Sequence, residues 1–358
     1  MQKTIAVLPG DGIGPEVMNQ AIRILKKIEM EFQHEFNLIF RHVGGAAIDH
    51  FGEPLPAKTR EACEQSDAIL FGSVGGQKWD HLPAEKRPET GALLPLRKHF
   101  DLFANLRPAG VSKTLSAFSP LKESIIGEGF SYLVVRELTG DVYFGEKEGD
   151  GKTFASDLMI YKREEIERIA KVAFSAAQKR KGKVTNVDKA NVLQTSKFWR
   201  TIVEEVHQNM FPDVALEHLY IDNATMQILT RPRDFDVFLT GNLFGDILSD
   251  ESAQISGSIG MQASASVNEK GFGLFEPMGG SAPNIAGKDI ANPIAQIRSV
   301  AMMLELGFGL LEEAKAIEHA IDETLIEGFR TVDIFQEGDK KVGTEEMGIE
   351  LEKRISRT

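Results

Sequence analysis

The chain has 358 residues, 42% of them hydrophobic and 26% charged, an ordinary globular composition with room for two domains. Its net charge of −12 argues against a nucleic-acid partner, which needs a basic face, yet leaves a local arginine cluster free to bind a small anion. No apolar run is long enough to cross a bilayer, the start MQKTIAVLPGDG is not a secretory signal, and Cys63 is the only cysteine. No intrachain disulfide can form, and a reducing, cytoplasmic setting is expected.

In chain order, TIAVL (4–8) is a buried-strand pattern ending in a Gly/Asp turn. Pro15 and Glu16 then open a helix carrying Val17, Ala21, Ile24, Leu25 and Ile28 at helical spacing. Further strands are expected at 36–43, 68–71, 132–137, 214–221 and 236–240, with helices at 163–180, 292–306 and 312–329. Strands alternating with amphipathic helices define an α/β protein. The segment 138–156 is Gly-rich, charged and β-prone, and reads as a protruding hairpin or arm, either a surface loop or a subunit contact. No flexible linker separates two halves, so a chain with two domains must cross between them more than once.

Four groups of residues carry candidate chemistry. In TGNLFGDILSDE a strand breaks at Gly241 and a helix follows, placing Asp246 and Asp250 at i and i+4 on one helix face, roughly 5–6 Å apart at Cβ. Such a pair is either a site for a hard cation, Mg²⁺ or Mn²⁺, or a solvated acidic face. Arg97, Arg107 and Arg136 each sit at the margin of an apolar run; converging, they would suit a dicarboxylate, and singly each suits a structural ion pair. Lys189 in VDKANVL and Tyr143 in GDVYFGE are candidate proton-transfer groups, or else a snorkelling lysine and a half-buried tyrosine. Of two glycine-bearing loops, PGDGIGPE (9–16) lacks the G-x-G-x-x-G spacing of a Rossmann site and reads as a tight turn. The other, EPMGGSAPNIAGKDIANP (276–293), has Gly279, Gly280 and Gly287 for close approach, and Asn292–Pro293 as N-cap and first residue of a helix. It is either an anion site for a dinucleotide pyrophosphate or a structural loop.

Five motifs in order, NLRP, VRELTG-x-YFG, DKANVL, TGN-x-FGDILSD and GSAP-x-IAGK-x-IANP, together resemble the isocitrate/isopropylmalate dehydrogenase family of β-decarboxylating dehydrogenases over essentially the whole chain. The resemblance implies two α/β domains with a large mixed sheet, not a Rossmann fold: residues 1–102 with 257–358 as a discontinuous cofactor-binding domain, and 103–256 as a central domain with the dimer interface and the arm. It further implies oxidative decarboxylation of a hydroxy-dicarboxylate with NAD⁺ and Mg²⁺ or Mn²⁺, in a homodimer with shared active sites. Arg97, Arg107 and Arg136 match the arginines that bind the malate carboxylates. Asp246 and Asp250 match metal ligands, and Asp222 matches a metal and substrate contact from the other subunit. Lys189 matches the partner-subunit base for the 2-hydroxyl, and Tyr143 the acid that protonates the enolate.

Substrate choice, by the same resemblance, lies in PETGALLPLR (88–97). Glu89 and the pair Leu93 and Leu94 match the isopropylmalate branch, where they shape an apolar pocket and the product is 2-oxoisocaproate, in leucine biosynthesis. The leucines argue against an isocitrate, tartrate or homoisocitrate enzyme, and retention of every catalytic group argues against a non-catalytic partner subunit. Two departures stand out: Ala92 lengthens the Glu89–Arg97 spacing by one residue relative to some relatives, and Pro95 must sit in a helix's first turn or kink it. Cofactor contacts are implied at Gly76, Glu89, Gly280, Ser281, Ala282, Pro283, Asn284, Ile285 and Asn292. Asn284 stands where NAD-using relatives usually carry Asp, and no cation is present there for a 2′-phosphate, so NAD⁺ is expected with weakened discrimination against NADP⁺.

Overall fold

The computed structural model describes residues 1–357. They divide into two compact units, Met1–Phe100 with Ser258–Thr358, and Asp101–Gly257. In the first unit the strand order is Glu35–Phe40, Gln2–Gly10, Ala68–Ser73, Gly273–Pro277, Ala263–Val267; neighbours are parallel except the last pair. The segment 4–8 anticipated as a strand is its buried middle: Ile5, Ala6, Val7 and Leu8 are fully covered. Helix Gly14–Phe32 lays Val17, Ala21, Ile24, Leu25 and Ile28 into this core, the valine, leucine and isoleucines each contributing about 1.5–3 kcal/mol of apolar burial.

The second unit runs Ala104–Ser112, Gly129–Glu137, Val237–Thr240, Lys183–Asp188, Ala215–Tyr220, with only the first pair antiparallel. Its core joins Tyr132, Val134, Phe235, Phe238 and Leu248 across strands and helix Asn242–Ile255. The strand anticipated at 214–221 is one residue shorter at each end, because Ile221 already belongs to helix Ile221–Thr230. Within 138–156 and just beyond it, Lys147–Gly149 and Ala155–Asp157 form an isolated exposed hairpin, its turn held by the Asp150 carboxylate accepting the Lys152 and Thr153 amides. A lone two-stranded ribbon is marginal in water.

The turn 9–16 is as tight as its glycines suggest, for an internal reason. Gly10 and Gly12 have φ of +76° and +56°. A Cβ on Gly12 would lie 1.9 Å from the Ser281 carbonyl oxygen, and Ile13 N–H donates to that same oxygen at 2.8 Å. These glycines let the turn press against the loop at 281. Gly12→Ala combines a left-handed backbone with overpacking and should cost about 3 kcal/mol. Gly271→Ala, at φ +83° with no atom within 4 Å, should cost about 1 kcal/mol. Urea denaturation compares the two, and equal losses would contradict the packing role of Gly12.

Candidate active site

Helix Asn242–Ile255 begins where strand Val237–Thr240 ends, and its first turn is held by neighbouring side chains. The Asn242 amide donates to the Tyr161 hydroxyl at 2.7 Å and the Leu243 amide to Asp141 Oδ2 at 3.1 Å. Tyr161 in turn donates to Asp141 Oδ2 at 3.0 Å. Asp141 is buried at φ +71°, a conformation that Asp tolerates better than most residues. The helix bearing Asp246 and Asp250 is thereby tied to the segment bearing Tyr143.

On this helix the two aspartates face two of the expected arginines. Arg136 Nη1 donates to Asp246 Oδ1, while Tyr143 donates its hydroxyl to Asp246 Oδ2 at 2.6 Å. Arg107 Nη1 lies 3.2 Å from Asp250 Oδ1 and 3.6 Å from Asp246 Oδ1, and also donates to Ser249 Oγ at 2.6 Å. The Arg136 guanidinium stacks 5.4 Å from the Tyr143 ring centroid. Sequence position therefore brought together Arg107, Arg136, Tyr143, Asp246 and Asp250, all in the second unit.

The two carboxylates differ in character. Burial pushes Asp246 up, but Arg136, Tyr143 and Arg107 outweigh it and hold its carboxyl below the usual range. Asp250 is raised, by burial first and by the negative charge of Asp246, against the opposing pull of Arg107. Burial and the Asp246 carboxylate raise the Tyr143 phenol, which keeps it a proton donor at neutral pH. Among the described residues no three acidic, histidine or cysteine groups gather at one point. Asp246 and Asp250 offer two partly exposed carboxylates, hard oxygens of the kind that could take part in holding a cation.

Lys189 and Asp222 form their own ion pair, Nζ to Oδ1, and Asp222 is held below the usual carboxylate range chiefly by that lysine. The backbone beneath is set by Asp188, which is buried, accepts the Ala190 amide at 2.9 Å and pairs with Arg200 at 2.8 Å.

The remaining candidates lie in the first unit. Arg97 is buried against Glu276, Nη2 to Oε1 at 2.8 Å. Residues Glu89–Leu93, which include Ala92, form a π-helical turn that leads into helix Leu94–His99 with Pro95 in its first turn. Leu96 is fully buried and belongs to the core, whereas Leu93 and Leu94 are half-exposed. The Glu89 carboxylate lies against Gly75: a Cβ there would be 1.9 Å from Oε1.

Gly75 also donates its amide to Asp11 Oδ2 at 2.9 Å and accepts from Ser281 Oγ at 2.7 Å, so Glu89, the Gly75–Gly76 turn and the 281 loop form one cluster. Asp11, buried and raised by that burial, accepts the Gly45 and Ala46 amides as well. Gly280, Ala282, Pro283 and Asn284 are exposed, and among the described residues, flanking neighbours aside, nothing lies within 4 Å of where a Cβ on Gly280 or Gly287 would stand. The expected helix start is shifted by one residue. Helix Ile294–Met302 begins after Pro293, yet Asn292 Oδ1 still accepts the Ile294 amide at 3.0 Å as a cap does.

Asn242, Asp141, Tyr161, Asp11 and Glu276 were not singled out from sequence. Each acts through a partner distant along the chain, and only the TGN motif carried a local signal.

With this geometry in view, the comparisons are decisive for class. The family model for isocitrate/isopropylmalate dehydrogenase matches residues 4–351, and the chain belongs to that family. It is 58% identical over 348 residues to the 3-isopropylmalate dehydrogenase of Haemophilus influenzae, covering 96% of this chain and 97% of the relative. It is likewise 58% identical over 348 residues to the enzyme of that name from Escherichia coli K12, covering 96% and 95%. Among solved structures it resembles the isocitrate dehydrogenase of Methylococcus capsulatus (TM-score 0.86, 31% identity, 99% of each chain). A β-decarboxylating dehydrogenase of Thermococcus kodakarensis is also similar (TM-score 0.80, 35% identity, 99% and 96% covered).

Glu276→Gln would leave the buried Arg97 charge without its carboxylate and should lower unfolding free energy by about 3 kcal/mol. Urea denaturation measures this, and a loss below about 0.5 kcal/mol would show that the pair is not a structural anchor.

Proposed function

We propose that this enzyme carries out the NAD⁺- and Mg²⁺- or Mn²⁺-dependent oxidative decarboxylation of 3-isopropylmalate to 2-oxoisocaproate and CO₂, in leucine biosynthesis. The supporting observation is the interleaving of Arg107 and Arg136 with Asp246 and Asp250 beside Tyr143, in a chain 58% identical to relatives bearing that activity in their names. Asp246 and Asp250, with Asp222 of the partner subunit, are the proposed cation ligands. Arg97, Arg107 and Arg136 are the proposed grips for the malate carboxylates. Leu93 and Leu94, half-exposed beside Glu89, offer apolar surface suited to a branched alkyl group. Gly76, Glu89, residues 280–285 and Asn292 are the proposed cofactor contacts. Exposed Asn284 brings no cation for a 2′-phosphate.

Asp246 and Asp250 with Asp222 of the partner subunit would hold the cation, which would supply charge stabilisation at the substrate's 2-oxygen, and the loop residues named above would hold NAD⁺, which would supply the hydride acceptor. Lys189 of the partner subunit takes the proton of the 2-hydroxyl. Arg107 and Arg136 hold a carboxylate by charge-assisted hydrogen bonds. Tyr143, with its raised phenol, returns a proton to carbon after CO₂ leaves.

A homodimer is part of this reading. Helix Ile221–Thr230 exposes Met226 and Leu229, helix Asn242–Ile255 exposes Ile247, and the hairpin segment exposes Phe154, Leu158 and Ile160. Such apolar surface suits a second copy of the chain.

Three measurements test the proposal. NADH formation is followed with Mn²⁺ and 3-isopropylmalate, isocitrate or tartrate supplied separately, and turnover of 3-isopropylmalate is expected to dominate; turnover of isocitrate alone would overturn the substrate. Asp250→Asn should abolish activity at millimolar Mg²⁺ with an unchanged circular dichroism spectrum. If sites are shared, Asp222→Asn and Asp246→Asn dimers, each inactive, should regain about a quarter of wild-type activity when unfolded and refolded together; no recovery would place all ligands in one chain.

A further inference from the structure

We propose that Asn242 is a positioning residue that fixes the Arg136 guanidinium for the substrate carboxylate, an assignment that rests on the dicarboxylate reading above. Arg136 Nε and Nη2 both donate to Asn242 Oδ1, at 3.0 and 2.7 Å. One neutral oxygen thus anchors one edge of the guanidinium, while Nη1 on the other edge meets Asp246. The amide cannot turn over freely, because Asn242 Nδ2 donates to the Gly140 carbonyl at 3.3 Å. A flip would point its NH₂ at the guanidinium, donor against donor. Its backbone is held in turn, its amide donating to Tyr161 at 2.7 Å. Asn242 and Arg136 are 1% and 2% exposed, so water does not compete for these bonds.

The stem of Arg136 is boxed by the same helical turn that carries Asn242. A Cβ on Gly245 would lie 2.6 Å from Arg136 Cγ. Head and stem are therefore set by two residues of one helical turn, which also carries Asp246. The amide's neutrality matters as much as its shape. An aspartate here would give Arg136 a second carboxylate, spending on the protein the positive charge meant for the ligand. Asn242 holds the direction of the guanidinium without neutralising it.

The test is a split in kinetic constants. Asn242→Asp is nearly isosteric and should raise KM for 3-isopropylmalate at least tenfold while KM for NAD⁺ stays within twofold. Gly245→Ala should give the same split by displacing the Arg136 stem, and it decides the matter if the aspartate variant does not fold. Parallel rises in both KM values, or no rise in either, would overturn the assignment and leave Asn242 a structural residue. The wild-type enzyme is measured alongside: absence of turnover with any dicarboxylate would remove the underlying reading, whereas normal wild-type turnover with unsplit variants would remove only the role of Asn242.

Discussion

The arrangement on which the second unit's chemistry depends is an alternation of opposite charges along one helix face. Asp246 and Asp250 repel one another at i and i+4, and burial disfavours both as anions. Arg107 and Arg136, delivered by strands Ala104–Ser112 and Gly129–Glu137, outweigh that cost at Asp246 and oppose it only in part at Asp250. Under the proposed function, the two acids would meet a cation and the two arginines the ligand carboxylates, so the same four charges would serve a bound pair of opposite charges.

Around this core the protein uses hydroxyls, one amide and a buried carboxylate to fix the helix and the arginines. Tyr161 and Asp141 cap the helix, Ser249 supports Arg107, and Asn242 orients Arg136. In the first unit Asp11 plays the comparable part. Its buried carboxylate draws the Gly45, Ala46 and Gly75 amides together beneath Glu89 and Ser281. A buried acid with several backbone donors is a stable way to hold irregular loops in register.

Much of this was legible in the sequence, for physical reasons that differ by residue. The helix through Asp246 and Asp250 could be read because a strand break at Gly241 and an i, i+4 spacing are local properties. The helix Gly14–Phe32 and the strand through Ile5–Leu8 followed from periodicity and apolar run length. The tight turn at 9–16 was read correctly, but the residue it presses on, Ser281, lies far along the chain. Arg97 was singled out with Arg107 and Arg136, but its partner Glu276, on a distant strand, could not be read from the sequence. Likewise the π-helical turn through Glu89–Leu93 was not visible, since it depends on hydrogen bonding that the local residue pattern does not show. Long-range partners are set by packing, and packing is what a pattern along the chain does not contain.

If the acids take a cation and the arginines a dicarboxylate, as proposed, each ligand should strengthen the other's binding. Isothermal titration of Mn²⁺ into the protein, with and without 3-isopropylmalate, measures it. At least a fivefold tighter Mn²⁺ affinity is expected with the dicarboxylate present, an enhancement lost in Asp250→Asn. Mn²⁺ binding that ignores both the dicarboxylate and the substitution would contradict the role given to these paired charges.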